Sequence, residues 1–307
     1  MEMTVSIIGF GNIGKFISGL LFANKEHKIQ LNVIDTDWQV YGAVLDMEQG
    51  IELFPNQRIA YNSETLLNQS DFIFHCAGAS VPKGKSRLVT CQKSIEITQA
   101  IFKNYRPKTE AFIIVVANPV EIITFITQRV TSLPQSHVIG TGTFLDSIRM
   151  NHAIRTTNPA VKAPNAILLG EHGTTVFLSE QLSTIDELPI SHFYEKDSIE
   201  ELMNKVKASA EEIKKTQEAT IYGVSYCAIQ IFEALLNEKV MHAPVSTFVP
   251  ESINAELQKT PISLSLYSQL NKSGAQAFDE YVPNEHELEA LNKSVNLITP
   301  FIPKQYL

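Results

Sequence analysis

The 307-residue sequence predicts an α/β protein, a doubly wound parallel sheet followed by an α+β half. Three observations predict it. Near-continuous apolar runs alternate with amphipathic segments over the first 140 residues, the pattern changes after that point, and a glycine cluster separates the first apolar run from the first helical one.

The strand candidates of the first half are "TVSIIG" (4–9), "IQLNVID" (29–35), "DFIFHCAG" (71–78), "AFIIVVAN" (111–118) and "HVIG" (137–140). They are apolar throughout, as parallel strands covered on both faces require. Helical patterns fill the gaps at 12–24, 38–49, 86–105 and 120–132. Such alternation makes 1–140 one domain and 141–307 a second, packed tightly against it because no flexible linker intervenes. The second half begins with a helix from Thr143 to Arg155. Two short strands then flank "LLGEHGTTV" (168–176), and helices follow at 198–216 and 222–237. "VSTFVP" and "ISLSLYSQL" alternate as antiparallel strands do, and a helix with Leu288, Leu291, Val295 and Ile298 on one face closes the chain.

Composition narrows the function classes. With 44% hydrophobic and 19% charged residues the chain is an ordinary globular protein, and a net charge of -8 disfavours nucleic acid or an anionic membrane as partner. Cys76, Cys91 and Cys227 form neither a CxxC pair nor a disulfide framework, which fits a reducing compartment. The first residues enter a strand without a charged leader, and no apolar run is long enough for a membrane span, so a cytoplasmic location is expected.

"IIGFGNIG" places Gly9, Gly11 and Gly14 in a GxGxxG pattern between a strand and a helix. The first glycine permits the turn, the second lets the backbone approach a pyrophosphate at the positive helix end, and the third allows close helix–strand packing. Asp35 ends the next strand, at the distance where an acid binds the adenosine ribose hydroxyls. Its charge would repel a 2′-phosphate, so NAD is expected rather than NADP, on a Rossmann-type first domain. Asn12 and Ile13 inside the loop, and Ala77, Gly78, Val116 and Asn118 at the carboxyl ends of two later strands, complete the expected cofactor contacts.

Four further segments supply reactive side chains. "GKSRL" carries Arg87, "VVANPVE" carries Asn118, "TFLDSIR" puts Asp146 and Arg149 on one helix face, and "GEHG" supplies His172 between glycines. Separately, Asp146 and Arg149 could be a surface ion pair and Arg87 a solvated cation. In this order they form a constellation.

With "GFGNIG", "HCAGASVPKGKSRL", "VVANPVEI", "IGTGTFLDSIR", "GEHG", "EATIYG" and "PVSTF" the chain resembles the L-lactate and L-malate dehydrogenase family over nearly its whole length. The resemblance implies NAD-dependent oxidoreduction of a small 2-oxo or 2-hydroxy acid, a mobile loop over the active site, and a homodimer or homotetramer. It also implies roles. Arg149 grips the substrate carboxylate bidentately, and His172 hands its proton to the keto oxygen. Asp146 orients the imidazole through its other nitrogen, and Arg87 polarises the carbonyl when the loop closes. Asn118 helps hold the substrate oxygen, and Thr220 matches a pocket-wall position.

Departures from the family pattern refine the expectation. Pyruvate-reducing members carry glutamine, and oxaloacetate-reducing members arginine, at the position held here by Val81. Valine can neither pair with a second carboxylate nor hydrogen-bond, so a 2-oxo acid with an apolar side chain, pyruvate or larger, is expected. Members activated by fructose 1,6-bisphosphate carry an arginine and a histidine where this chain has Asn151 and Asn165. Thr174 replaces the usual acid after "GEHG", a change without a physical account. The competing readings are a malate dehydrogenase, an NAD-dependent glycoside hydrolase on a related fold with His75 or Cys76 as metal ligands, and a catalytically silent NAD-binding regulator.

Overall fold

The computed structural model describes residues 2–24, 26–80, 87–217, 220–257 and 261–307. The first half runs β1 (Glu2–Ile8), α1 (Asn12–Ala23), β2 (Lys28–Ile34), α2 (Tyr41–Gly50), β3 (Arg58–Tyr61), α3 (Glu64–Gln69), β4 (Phe72–His75), α4 (Cys91–Asn104), β5 (Phe112–Val115), α5 (Val120–Thr131) and β6 (Val138–Gly140). The second half contains α6 (Phe144–Thr157), β7 (Pro164–Asn165), β8 (Leu168–Leu169), β9 (Phe177–Leu178), β10 (Thr184–Ile185) and β11 (Leu188–Pro189). It continues with α7 (Lys196–Thr216), α8 (Tyr222–Leu236), β12 (Met241–Phe248), α9 (Glu251–Asn254), β13 (Ser263–Asn271), β14 (Gly274–Ala277) and α10 (Glu285–Ile298).

All five apolar runs of the first half form strands, and they pair in parallel. Two elements there escape the periodicity. The half-exposed edge strand β3, "RIAY", has no apolar run, and the six-residue α3 is too short to show a period; Ser63 caps it, accepting from Leu66 N. In the second half β14, "GAQA", has too little apolar content to announce itself. The strand expected to start at Val245 starts at Met241 and includes Pro244. Proline has no N–H for a ladder, but Pro244 faces Tyr267 of β13, and β6 pairs with β12 at Ser246 alone.

The sheet order is β14-β13-β12-β6-β5-β4-β1-β2-β3. Its parallel part, β3-β2-β1-β4-β5-β6, changes direction between β1 and β4, and open sheets bind ligands at such a switch point. The antiparallel strands β12, β13 and β14 of the second half extend the same sheet, joined through the pair Ser246–Gly140. A Cβ on Gly140 would come within 2.3 Å of Thr124 Oγ1 and 2.8 Å of Ser246 Cβ, so this seam tolerates no side chain.

Alternate strand residues serve opposite cores, as the period of two dictates. Ile7, Phe74 and Ile114 point to a layer made by α1 and α8, with Ile17, Leu21, Phe232 and Leu235. Ile8, Ile73, Ile113 and Val115 point to a layer with α4, α5 and α10. A third cluster, including Met150, Ile154, Leu168, Leu202 and Val206, packs α6 against α7 and the small strands.

Candidate active site

The glycine loop closes β1 onto α1. Gly9 has φ +91°, and a Cβ there would lie 2.5 Å from Ala77 N, so the loops after β1 and β4 touch through bare backbone. A Cβ on Gly14 would lie 2.4 Å from Gly9 O, which accounts for the third glycine. Gly11 caps α1, and a Cβ there meets nothing within 4 Å. The space beside it is the cradle a pyrophosphate needs. Asn12 and Ile13 open α1. Asp35 follows β2, its carboxylate accepting from Phe10 N at 2.6 Å and from Asp37 N at 2.9 Å. The acid thereby ties the glycine loop to the end of β2.

Across the switch point, Ala77 and Gly78 follow β4, and Val116 and Asn118 follow β5. A Cβ on Gly78 would rest 3.4 Å from Ala117 Cβ. Asn118 Oδ1 is buried without a hydrogen-bond partner among the described residues. A buried acceptor left open in this way calls for a donor from a bound molecule. With the Gly11 cradle and Asp35, it fits a dinucleotide laid across the strand ends.

The titratable centre lies on α6 and the turn between β8 and β9. His172 Nδ1–H donates to Asp146 Oδ2 at 2.5 Å, and Arg149 Nη1 donates to Asp146 Oδ1 at 3.3 Å. Asp146 and Arg149 share one face because they are a turn apart on α6. Asp146 is buried, its side chain 10% exposed, so both donors also compensate the desolvation of its carboxylate. With Nδ1 engaged, the other imidazole nitrogen is the one left to exchange a proton with a ligand. The helix itself is anchored by Thr143 Oγ1, which donates to Leu168 O at 2.5 Å, and by Ser147 Oγ, which accepts from Leu168 N at 2.9 Å.

The glycines around His172 have separate reasons. Gly170 adopts φ +97°, and a Cβ on Gly173 would fall 2.2 Å from Glu171 Oε1. The turn wraps around its own buried glutamate. Glu171 accepts from Thr175 N and Thr175 Oγ1, each at 3.2 Å, while its own N–H donates to Ser294 Oγ of α10. The main-chain N–H of His172 donates to Glu121 Oε1 of α5 at 3.1 Å, and Ser265 Oγ of β13 donates to the same oxygen at 2.8 Å.

Of the expected site residues, the structure brings His172, Asp146 and Arg149 into one hydrogen-bonded group. It gathers Gly9, Gly14, Asp35, Ala77, Gly78 and Asn118 around the ends of β1, β2, β4 and β5. Thr220 is half-buried just ahead of α8. The backbone of Arg87 begins a short 3-10 turn before α4, while its side chain and all of Val81 lie outside the described residues. His75 lies in the core with Nε2 against Thr98 Oγ1 at 3.0 Å, and burial pushes it down to about 4. Sequence reasoning missed Glu121, whose signal was available: an acid inside the otherwise apolar run "PVEIITFI".

Comparison with known proteins agrees with this geometry. Residues 3–140 match the lactate/malate dehydrogenase NAD-binding domain, and residues 143–304 match the lactate/malate dehydrogenase alpha/beta C-terminal domain. The chain belongs to the lactate/malate dehydrogenase family. It is thus an NAD-dependent oxidoreductase. Curated relatives of this family include L-lactate dehydrogenase of Bacillus pumilus, 27% identical with 98% of each chain covered. L-lactate dehydrogenase A of Rhizopus oryzae is 29% identical over 97% of this chain and 92% of its own. Among solved structures, the ligand-bound minor L-lactate dehydrogenase of Enterococcus mundtii superposes with a TM-score of 0.85 at 25% identity, covering 98% of this chain and 97% of its own. Malate dehydrogenase of Aeropyrum pernix shares the fold, with a TM-score of 0.86 at 23% identity over 98% and 99% of the chains.

Proposed function

We propose that this lactate/malate dehydrogenase family member interconverts a 2-oxo acid bearing an apolar side chain, pyruvate or larger, with the corresponding L-2-hydroxy acid. The observation that carries the reading is the Arg149–Asp146–His172 group, with its 2.5 Å imidazole–carboxylate contact. NAD, held by the Gly9–Gly14 loop, Asp35 and the ends of β4 and β5, supplies or takes up the hydride when bound. The protein's own residues do the rest. Arg149 offers a planar guanidinium to the substrate carboxylate, and its partial neutralisation by Asp146 lowers the cost of keeping it buried beforehand. His172, held in one tautomer by Asp146, gives its proton to the substrate oxygen in reduction and takes one back in oxidation. Asn118 holds the oxygen, Thr220 lines the pocket wall, and Arg87 completes the polarisation of the carbonyl.

The side-chain preference rests on Val81. Assaying NADH oxidation with pyruvate, 2-oxobutyrate, 4-methyl-2-oxopentanoate, phenylpyruvate and oxaloacetate tests it; the apolar acids are expected to lead, and a lead for oxaloacetate overturns the reading. Val81→Arg should then move the oxaloacetate-to-pyruvate ratio of kcat/KM by roughly 10²-fold, since a desolvated guanidinium needs the distal carboxylate. A ratio within a few-fold of the parent removes Val81 from the pocket.

The reading includes a division at 140/141 into a cofactor domain and a catalytic domain, and a cytoplasmic homodimer or homotetramer. No helix among the described residues is long and apolar enough to cross a membrane. Support for self-association comes from one flank. Trp38, Tyr41 and Leu45 at α2, Ile148 on α6, and Tyr222 and Tyr226 on α8 are exposed. α1 links α2 and α8, Phe16 packing edge-on against both α8 tyrosines and Ser18 against Met47 of α2, and α6 lies against α8. Exposed aromatics of this number fit an interface between copies. Light scattering that returns a monomer mass overturns the oligomer.

A further inference from the structure

Glu121 is a fully buried carboxyl with no cation bonded to it among the described residues. Its Oε1 receives two donors from different parts of the chain, His172 N–H at 3.1 Å and Ser265 Oγ–H at 2.8 Å. Ser265 Oγ in turn accepts from Thr143 N at 3.1 Å, at the start of the helix that carries Asp146. One oxygen of α5 therefore sets the main chain of the histidine directly, and the base of its carboxylate partner through a single hydroxyl. Beside it lies a second buried acid, Glu171, whose oxygens face inward over Gly173 and, among the described residues, are bonded only to Thr175.

We propose that Glu121 is a positioning residue for His172 and works in its neutral, protonated form. Two adjacent buried carboxylates without a cation cannot both stay ionised at tolerable cost. A neutral carboxyl still accepts from the peptide N–H and from Ser265, so the turn is held without placing a second negative charge behind the imidazole. Among the described residues, the turn after β8 contributes Glu171 and His172 to the surroundings of the pair, α6 brings Asp146 against the imidazole with Arg149 on the other carboxylate oxygen, β13 presents Ser265, and α10 presents Ser294. Burial, reinforced by the Glu171 charge, pushes Glu121 up to about 8.

The inference rests on His172 as the proton carrier, and its test separates the two claims. A carboxyl whose folded pKa is raised stabilises the fold fully below its unfolded value, near 4.5, and loses that advantage as pH rises through about 8. Glutamine has no proton to take up. The Tm of Glu121→Gln minus that of the parent should therefore climb between pH 5 and pH 8 by about 5 °C or more. A difference constant over that range overturns the proposal. In pyruvate reduction with NADH, Glu121→Ala should lose more than about tenfold in kcat, with Glu121→Gln recovering most of the loss and the NADH KM steady. Equal impairment of both variants, or none in the alanine variant, also overturns it. If the alanine variant does not fold, the pH series on the glutamine variant decides. His172→Asn tests the underlying reading alone: full turnover there removes the proton carrier, whereas a flat Tm difference removes only the proposal about Glu121.

Discussion

At the residue scale, the site is a set of compensated charges in which each group limits what its neighbour can be. His172→Asn should preserve NADH binding, measured by fluorescence, and lose at least about 10²-fold in kcat, because the cofactor loop is built by other residues and only the proton carrier has gone. Arg149→Lys should be nearly as severe, with the loss concentrated in the KM for pyruvate; an ammonium cannot make two parallel bonds to a carboxylate while also serving Asp146. An unchanged KM contradicts the assignment. These residues were legible in the sequence because each lies inside a recognisable local pattern. Glu121 stood out only as an acid in an apolar run, and its tie to Ser265 was not legible, since that comes from an approach between positions 144 apart in the chain. No local spacing encodes it.

At the element scale, short segments do the precise work and long ones supply the frame. The frame was the readable part: α1, α4, α5, α6, α7, α8 and α10 all carry a clear apolar stripe or run, whereas β3, α3 and β14 are too short or too polar to register. α6 shows how one element can serve two purposes. Its inward face bears Asp146 and Arg149, while a turn further on Asn151 Oδ1 accepts from Ala166 N at 2.7 Å and so stitches the helix to the segment between β7 and β8. An amide already committed to the backbone, and uncharged, supplies no Coulomb attraction for a bisphosphate. Fructose 1,6-bisphosphate at millimolar concentration should therefore leave the half-saturation for pyruvate within about twofold of its value without the sugar, a small effect on the affinity scale. A large drop would show that other residues form an effector site.

At the scale of the whole molecule, the division of labour between halves and the continuity of the sheet pull in opposite directions. Sequence grammar marks a change near residue 140, yet β12, β13 and β14 carry the first half's sheet onward, and Glu121 of the first half holds the main chain of His172 in the second. Residues 1–140 made alone should aggregate in sedimentation assays, because removing β12 uncovers the edge of β6 together with apolar surface that α8 and α10 now cover. Supplying residues 141–307 in the same cell should restore solubility, and a soluble monomer without them would show the edge to be harmless. The seam at Gly140 and Ser246 carries a further consequence for anyone exchanging parts between relatives. A chimera that joins this catalytic half to a foreign cofactor half must bring a bare glycine at the end of the sixth strand, because Ser246 Cβ, 2.8 Å from where a Cβ there would sit, leaves no room for a methyl group. Interchangeability is then decided by one hydrogen atom at the junction, ahead of any matching of loops or active-site residues.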